Sequence, residues 1–125
     1  MANPSVTRSE FQLLQKIWEL GPASVREVQQ SLPEKGRPAY TTVQTLIYRM
    51  EDKGVVRRVK KIGNAHIFEA AMTRKAVYRR YITDLLEIFG GSPAPLMSHL
   101  IETGKLTLAD IQALERELAA REKRK

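Results

Sequence analysis

The chain has 125 residues, 42% of them hydrophobic, with 21 Lys and Arg against 14 Asp and Glu and a formal charge of +7. That length holds one domain, or one small domain with an added interaction segment, and a chain this short gains from sharing a core with a second subunit. Lack of cysteine excludes disulfides and thiolate chemistry; no apolar run reaches the ~20 residues of a membrane span, and Met1-Ala2-Asn3-Pro4-Ser5 lacks the basic-then-apolar pattern of a signal peptide.

The first helix is announced by Thr7-Arg8-Ser9-Glu10, a hydroxyl N-cap with a carboxylate three residues later. Phe11, Leu14, Ile17 and Trp18 supply its apolar face, widened by Leu13 and Leu20, and Gly21-Pro22 stops it. Ser24-Val25-Arg26-Glu27 repeats the capping pattern and opens a short helix that buries Val25, Val28 and Leu32. Pro33 to Pro38 reads as a polar turn. The third helix starts near Tyr40, with Val43, Leu46, Ile47 and Met50 as its buried stripe and Gly54 as its stop. Two strands are expected next, Val55–Lys60 and Ala65–Ala70, joined through Ile62-Gly63-Asn64 as a hairpin.

Thr73 is placed to cap a long fourth helix with the face Tyr78, Tyr81, Ile82, Leu85, Ile88 and Phe89, ended by Gly90-Gly91. Pro93 and Pro95 open a short helix carrying Leu96, Met97, Leu100 and Ile101, which Gly104 ends. Thr107 caps the last helix, with Asp110 near its positive end and Leu108, Ile111, Leu114 and Leu118 as its stripe. The tail Arg121–Lys125 is expected to fray. The fold class expected is mostly α with a small β-hairpin: a winged helix-turn-helix domain over 1–72 and a helical dimerisation domain over 73–125. These last helices are short and broken by Gly and Pro, so their stripes either fold back on the first domain or pack on a second copy. Two-fold association is the commoner solution, and it assigns the interface to Tyr81, Leu85, Leu96, Leu100, Ile111, Leu114 and Leu118.

Position assigns the positive charge, since the excess is spread over both halves of the chain. The side of the third helix opposite its stripe carries Thr41, Gln44, Thr45 and Tyr48, with Arg49 at its edge and Tyr40 at its start. Uncharged hydrogen-bonding side chains of this kind can read base edges in a major groove: Gln pairs with adenine, and a Thr methyl meets the thymine methyl. An ordinary solvated face would explain that helix alone. The hairpin after it adds Arg57, Arg58, Lys60 and Lys61, a basic ribbon suited to backbone phosphates, although lysines also protect strand edges. Together they match a helix-turn-helix with a wing. Arg74, Lys75, Arg79 and Arg80 on the fourth helix fit a solvated face, with Arg74 or Lys75 as outlying phosphate contacts. His66 stands without a second ligand and reads as a packing histidine rather than a metal ligand. No cofactor site, triad, catalytic carboxylate pair or phosphate loop is evident, so an enzyme is not expected. The competing reading is a winged-helix module that docks protein; its third helix would present an apolar or acidic face.

The chain resembles the penicillinase-repressor family of winged-helix regulators. The likeness runs through Glu10-Phe11 and Ile17-Trp18, Ser24-Val25-Arg26-Glu27-Val28, Tyr40-Thr41-Thr42-Val43-Gln44-Thr45-Leu46, Arg49-Met50-Glu51-Asp52-Lys53-Gly54 and His66-Ile67-Phe68. Gly90-Gly91 and the two helices after it look like the family's dimerisation region. The resemblance implies a cytoplasmic homodimer that represses transcription from an inverted-repeat operator in double-stranded DNA. By position it carries base recognition onto Thr41, Thr42, Gln44, Thr45 and Arg49, and phosphate contacts onto Arg58 and Lys60. It also implies a membrane sensor protease as a partner. Antibiotic-responsive relatives are cleaved at an Asn-Phe bond, and the matching position here is His99-Leu100. Copper-responsive relatives use C-terminal cysteines, which this chain lacks.

Overall fold

The computed structural model describes residues 6–124; the opening Met1-Ala2-Asn3-Pro4-Ser5 read above for a leader, and Lys125, lie outside them. The elements run α1 (Arg8–Leu20), β1 (Ala23–Ser24), α2 (Val25–Ser31), α3 (Tyr40–Asp52), β2 (Val56–Ile62), β3 (Ala65–Ala70), α4 (Arg74–Ile88), α5 (Pro93–Glu102) and α6 (Leu108–Lys123). Two compact units divide after Tyr81, within α4.

Local chemistry sets most helix starts. Thr7 Oγ1 accepts from the Glu10 N–H at 3.2 Å while Glu10 Oε1 accepts from the Thr7 N–H at 2.9 Å. Ser24 with Glu27, and Thr107 with Asp110, close the same reciprocal box. Each satisfies two backbone donors that a helix start leaves unpaired. Thr73 caps α4 by accepting from the Ala76 N–H at 3.1 Å. The end of α3 is equally local: Gly54 adopts φ +79°, its N–H reaches the Glu51 carbonyl at 3.0 Å, and the Val55 N–H reaches the Met50 carbonyl at 2.9 Å. This is a Schellman stop, and the fully buried pair Val55 and Met50 supplies its apolar contact.

The sheet has the order β1-β3-β2, all antiparallel. The hairpin forms as expected, but β2 covers Val56–Ile62 rather than Val55–Lys60, because Val55 is consumed by the end of α3. Ala23 pairs with Phe68 and Ser24 with Ile67, adding a third strand that the hairpin reading did not contain. The register slips between Arg58 and Lys60, leaving Val59 as an extra residue that bulges β2.

The core of the first unit joins Leu13, Leu14 and Ile17 of α1, Val28 of α2, Val43, Ile47 and Met50 of α3, Phe68 of β3 and Val77 of α4. Burying each such side chain fully stabilises the fold by about 1.5–3 kcal/mol. Glu10 lies among them, 1% exposed, with Lys53 Nζ 2.6 Å from its Oε1. Burial pushes the Glu10 carboxyl up, but the Lys53 ammonium and the Thr7 N–H and hydroxyl outweigh it and hold it below its usual range. This pair ties the start of α1 to the end of α3. Tyr81 closes the same corner: its hydroxyl donates to the Val6 carbonyl at 2.8 Å and its ring meets Phe11 edge-on. Burial, then the Glu10 charge, raises the Tyr81 phenol and keeps it a donor.

In the second unit Ile82, Leu85, Ile88, Met97, Ile101, Leu108, Ile111, Leu114 and Leu118 are all exposed, Ile88 at 78%. The tail expected to fray is instead helical to Lys123. Arg121 lies 3.7 Å from Glu117 one turn earlier, and cations at the end of a helix complement its dipole.

Candidate nucleic-acid interface

Helix α3 is fixed from behind by Val43, Ile47 and Met50, all fully buried, so its other face is set without freedom to roll. Thr41, Thr42, Thr45 and Arg49 are exposed on that face and line one shallow depression with Leu46. Tyr40 is exposed at the helix start. Gln44 and Tyr48 are half-buried and turn toward the hairpin, where Gln44 Nε2 donates to the Tyr48 hydroxyl at 3.2 Å. The expected reading face therefore has two strips, one open to solvent and one leaning on the wing.

Thr45 is more specific than its residue type suggests. Its hydroxyl donates to the Thr41 carbonyl at 2.9 Å. With the donor spent inside the helix, the side chain has a methyl group and acceptor lone pairs left to present.

The wing divides its four cations between two jobs. Arg57 Nε donates to Glu69 Oε2 at 2.7 Å across the ladder. Arg58 Nε donates to Glu51 Oε2 at 2.8 Å, and its guanidinium lies 5.0 Å above the Tyr48 ring and 5.3 Å from the Phe68 ring. These contacts make Arg58 a strut between wing and helix. Lys60 and Lys61 are exposed beyond the bulge, with no ion pair among the described residues. The two lysines are thus the wing cations left open to phosphate.

Between α3 and the wing runs an open groove of about 360 Å³, walled by Arg26, Tyr40, Gln44 and Tyr48 on the helical side and by Ile62, Asn64 and His66 on the hairpin side. Arg26 was missed in the sequence. It is exposed on the first turn of α2, with its guanidinium 5.4 Å from the Tyr40 ring. Its signal was its place just inside the cap of the helix that precedes α3, the position that crosses the DNA backbone in helix-turn-helix docking. Arg37, by contrast, is occupied, donating to the Leu32 carbonyl at 2.7 Å and the Gln30 carbonyl at 3.1 Å, which fixes the turn before α3. Arg74 stacks 4.7 Å over Trp18. His66 is half-buried at the groove wall, and among the described residues no cluster of His, Asp or Glu could hold a metal ion.

The profile of the family described as penicillinase repressor matches residues 6–120. The chain belongs to the penicillinase-repressor family. It is accordingly a DNA-binding transcriptional regulator, and α3 with the β2–β3 wing is the part of the penicillinase-repressor fold described above. No curated protein matches the sequence. Among solved structures, the chain is similar to the ferric uptake regulator of Vibrio cholerae (23% identity, TM-score 0.47), with 56% of each chain covered, so it spans little over half of that protein's length. It is also similar to a transcriptional regulator of Thermotoga maritima, at 24% identity over 96% of this chain and 80% of that one, TM-score 0.46. A MarR family protein of Bacillus stearothermophilus is similar at 24% identity over 98% of this chain and 76% of that one, TM-score 0.44. Among the described residues no helix is long and apolar enough to cross a membrane.

The remaining residues assigned above fall in the second unit, apart from Tyr81. Tyr81 is spent within the first unit on Val6 and Phe11. Leu85, Ile111, Leu114 and Leu118 are exposed, whereas Leu96 and Leu100 are half-buried. The His99–Leu100 bond lies inside α5, where the His99 carbonyl accepts from both the Thr103 N–H and its hydroxyl at 3.0 Å.

Proposed function

We propose that this chain is a sequence-specific repressor that binds an inverted-repeat operator as a cytoplasmic homodimer. The observation that carries the reading is the juxtaposition at α3: an uncharged hydrogen-bonding face on a helix held rigid by the core, beside two lysines with no ion pair on the wing. A protein-docking face would be apolar or acidic instead. Thr41, Thr42, Gln44, Thr45 and Arg49 meet the major groove, while Arg26, Lys60 and Lys61 hold phosphates on either side of the groove between helix and wing.

The homodimer rests on the second unit, where a row of exposed leucines and isoleucines from α4 to α6 awaits a covering surface. Large apolar side chains left exposed in such number mark an interaction site, and a second copy brings the same face by symmetry. Leu85, Leu96, Leu100, Ile111, Leu114 and Leu118 supply that interface. A membrane sensor protease as partner would require α5 to open, since a bond in an intact helix is shielded by its own hydrogen bonds.

Fluorescence anisotropy titrations at several salt concentrations test the reading. The probes are a duplex selected from a randomised inverted-repeat pool and a scrambled duplex of equal length. Tight binding of two chains per selected duplex, with a steep salt slope, is expected. Equal weak binding to both duplexes overturns the proposal.

A further inference from the structure

We propose that Tyr48 is a positioning residue that fixes the Gln44 amide for base reading and does not itself read DNA; the inference rests on the operator-binding reading above. Gln44 carries a side chain with three rotatable bonds, and a reading residue left loose must be ordered at the moment of binding. Here it is ordered beforehand. The Tyr48 hydroxyl takes one Nε2 hydrogen of Gln44 at 3.2 Å. What remains is one N–H and the carbonyl oxygen, the donor and acceptor pair that adenine meets through N7 and its N6 amino group.

Tyr48 can do this because three groups hold its ring. The buried Phe68 ring lies 6.1 Å away at an interplanar angle of 43°. The Arg58 guanidinium covers the Tyr48 ring at 5.0 Å. Arg58 is itself fixed by Glu51, one turn further along the same helix, at 2.8 Å. The chain of support therefore runs from the sheet, through Tyr48, to the amide of Gln44. A tyrosine hydroxyl half-buried against the wing and already paired to its own helix neighbour is poorly placed to serve as a base contact of its own.

The test is a double-mutant cycle with Tyr48→Phe and Gln44→Ala, measured on the duplex selected from the randomised pool, on single base-pair variants of it, and on the scrambled duplex. Tyr48→Phe keeps the ring that Arg58 and Phe68 hold, so the melting temperature should not move. It should weaken the selected duplex roughly two- to tenfold, the scale of ordering one rotamer-rich side chain, and leave the scrambled duplex and the salt slope unchanged. Preference should relax at the same base pair that Gln44→Ala relaxes, and the double variant should bind like Gln44→Ala alone. Equal weakening on both duplexes, additive losses, or relaxation at a different base pair would overturn the assignment. If the native chain enriches no sequence from the pool, the repressor reading falls first and this inference with it.

Discussion

The Glu10–Lys53 pair gives the sharpest test of how the reading head is held. Glu10→Ala removes a carboxylate that is 1% exposed and touches Lys53 at 2.6 Å and the Thr7 N–H at 2.9 Å. Breaking a buried pair from one side costs about 3–5 kcal/mol. The Lys53 side chain is 16% exposed and can turn its ammonium toward water, so the lower end, about 3 kcal/mol, applies. An unpaired Thr7 N–H adds about 1 kcal/mol. A loss of about 4 kcal/mol is a large share of the 5–15 kcal/mol that holds a typical domain. Glu10→Gln keeps an acceptor for Thr7 and loses only the charge, so it should cost about 1–2 kcal/mol. Urea unfolding followed by the fluorescence of Trp18, the one tryptophan, reads both, at fixed protomer concentration. Trp18 reports on this unit because its Nε1 donates to the Met72 carbonyl at 3.0 Å and its ring packs edge-on against Phe11. The folded Glu10 carboxyl lies below its ordinary value. Its contribution is therefore full above the unfolded carboxylate value of about 4.3 and is lost as pH falls through the lower folded one. The native chain should lose stability on acidification faster than Glu10→Gln, and the two curves should converge. Parallel acid limbs, or a Glu10→Gln midpoint equal to the native one at pH 7, would refute the account.

Replacing Lys60 and Lys61 together with Ala should lower the salt slope of DNA binding by about 3.6, from four phosphates per dimer, two per chain, at ~0.9 each; an unchanged slope would remove the wing lysines from the interface. Because the Thr45 hydroxyl proton is spent on Thr41, Thr45→Val should keep base preference where a thymine methyl is read, while Thr45→Ser should lose it there. Substituting uracil for thymine in the selected duplex checks this, since it should then weaken the native chain and leave Thr45→Ser unchanged. Leu114→Asp with Leu118→Asp should sediment as monomer, whereas a persisting dimer would move the interface off α6.

What could be read from the sequence follows the range of the physics involved. The two capping boxes at Thr7 and Ser24, the Thr107 cap, the Gly54 stop and Val43, Ile47 and Met50 of the α3 stripe depend on residues within a few positions of one another, and they stand where expected; Leu46, expected in the same buried stripe, is only half-buried at its edge. Strand β1 does not: Ala23 and Ser24 are two residues long and carry no pattern of their own, and only Phe68 and Ile67 make them a strand. Glu10 was legible as a cap but not as a buried partner of Lys53, 43 residues away. The cations of the wing looked alike in sequence. Their division into struts and open lysines depends on Glu51, Glu69 and the Tyr48 ring, and on a bulge at Val59 that no residue type announces. Arg26 was not legible because its partner on the same wall of the groove, Tyr40, sits on a different helix. The uncovered stripes of the second unit were readable because apolar periodicity is local even when its covering surface is not.

Ser24 does two jobs at once, pairing with Ile67 in the sheet and capping α2 through Glu27. No linker separates the wing from the helix pair, so the hairpin cannot swing as a flap. That leaves the far end of the wing, at Gly63 and Asn64, as the place where it could be lengthened. A strand changes face at every residue, so keeping the same side chains toward DNA requires growth of two residues per strand at a time. Each such step carries the tip outward by about 6.8 Å, close to two base pairs along the duplex, where the phosphates within reach of the lysines change in discrete jumps.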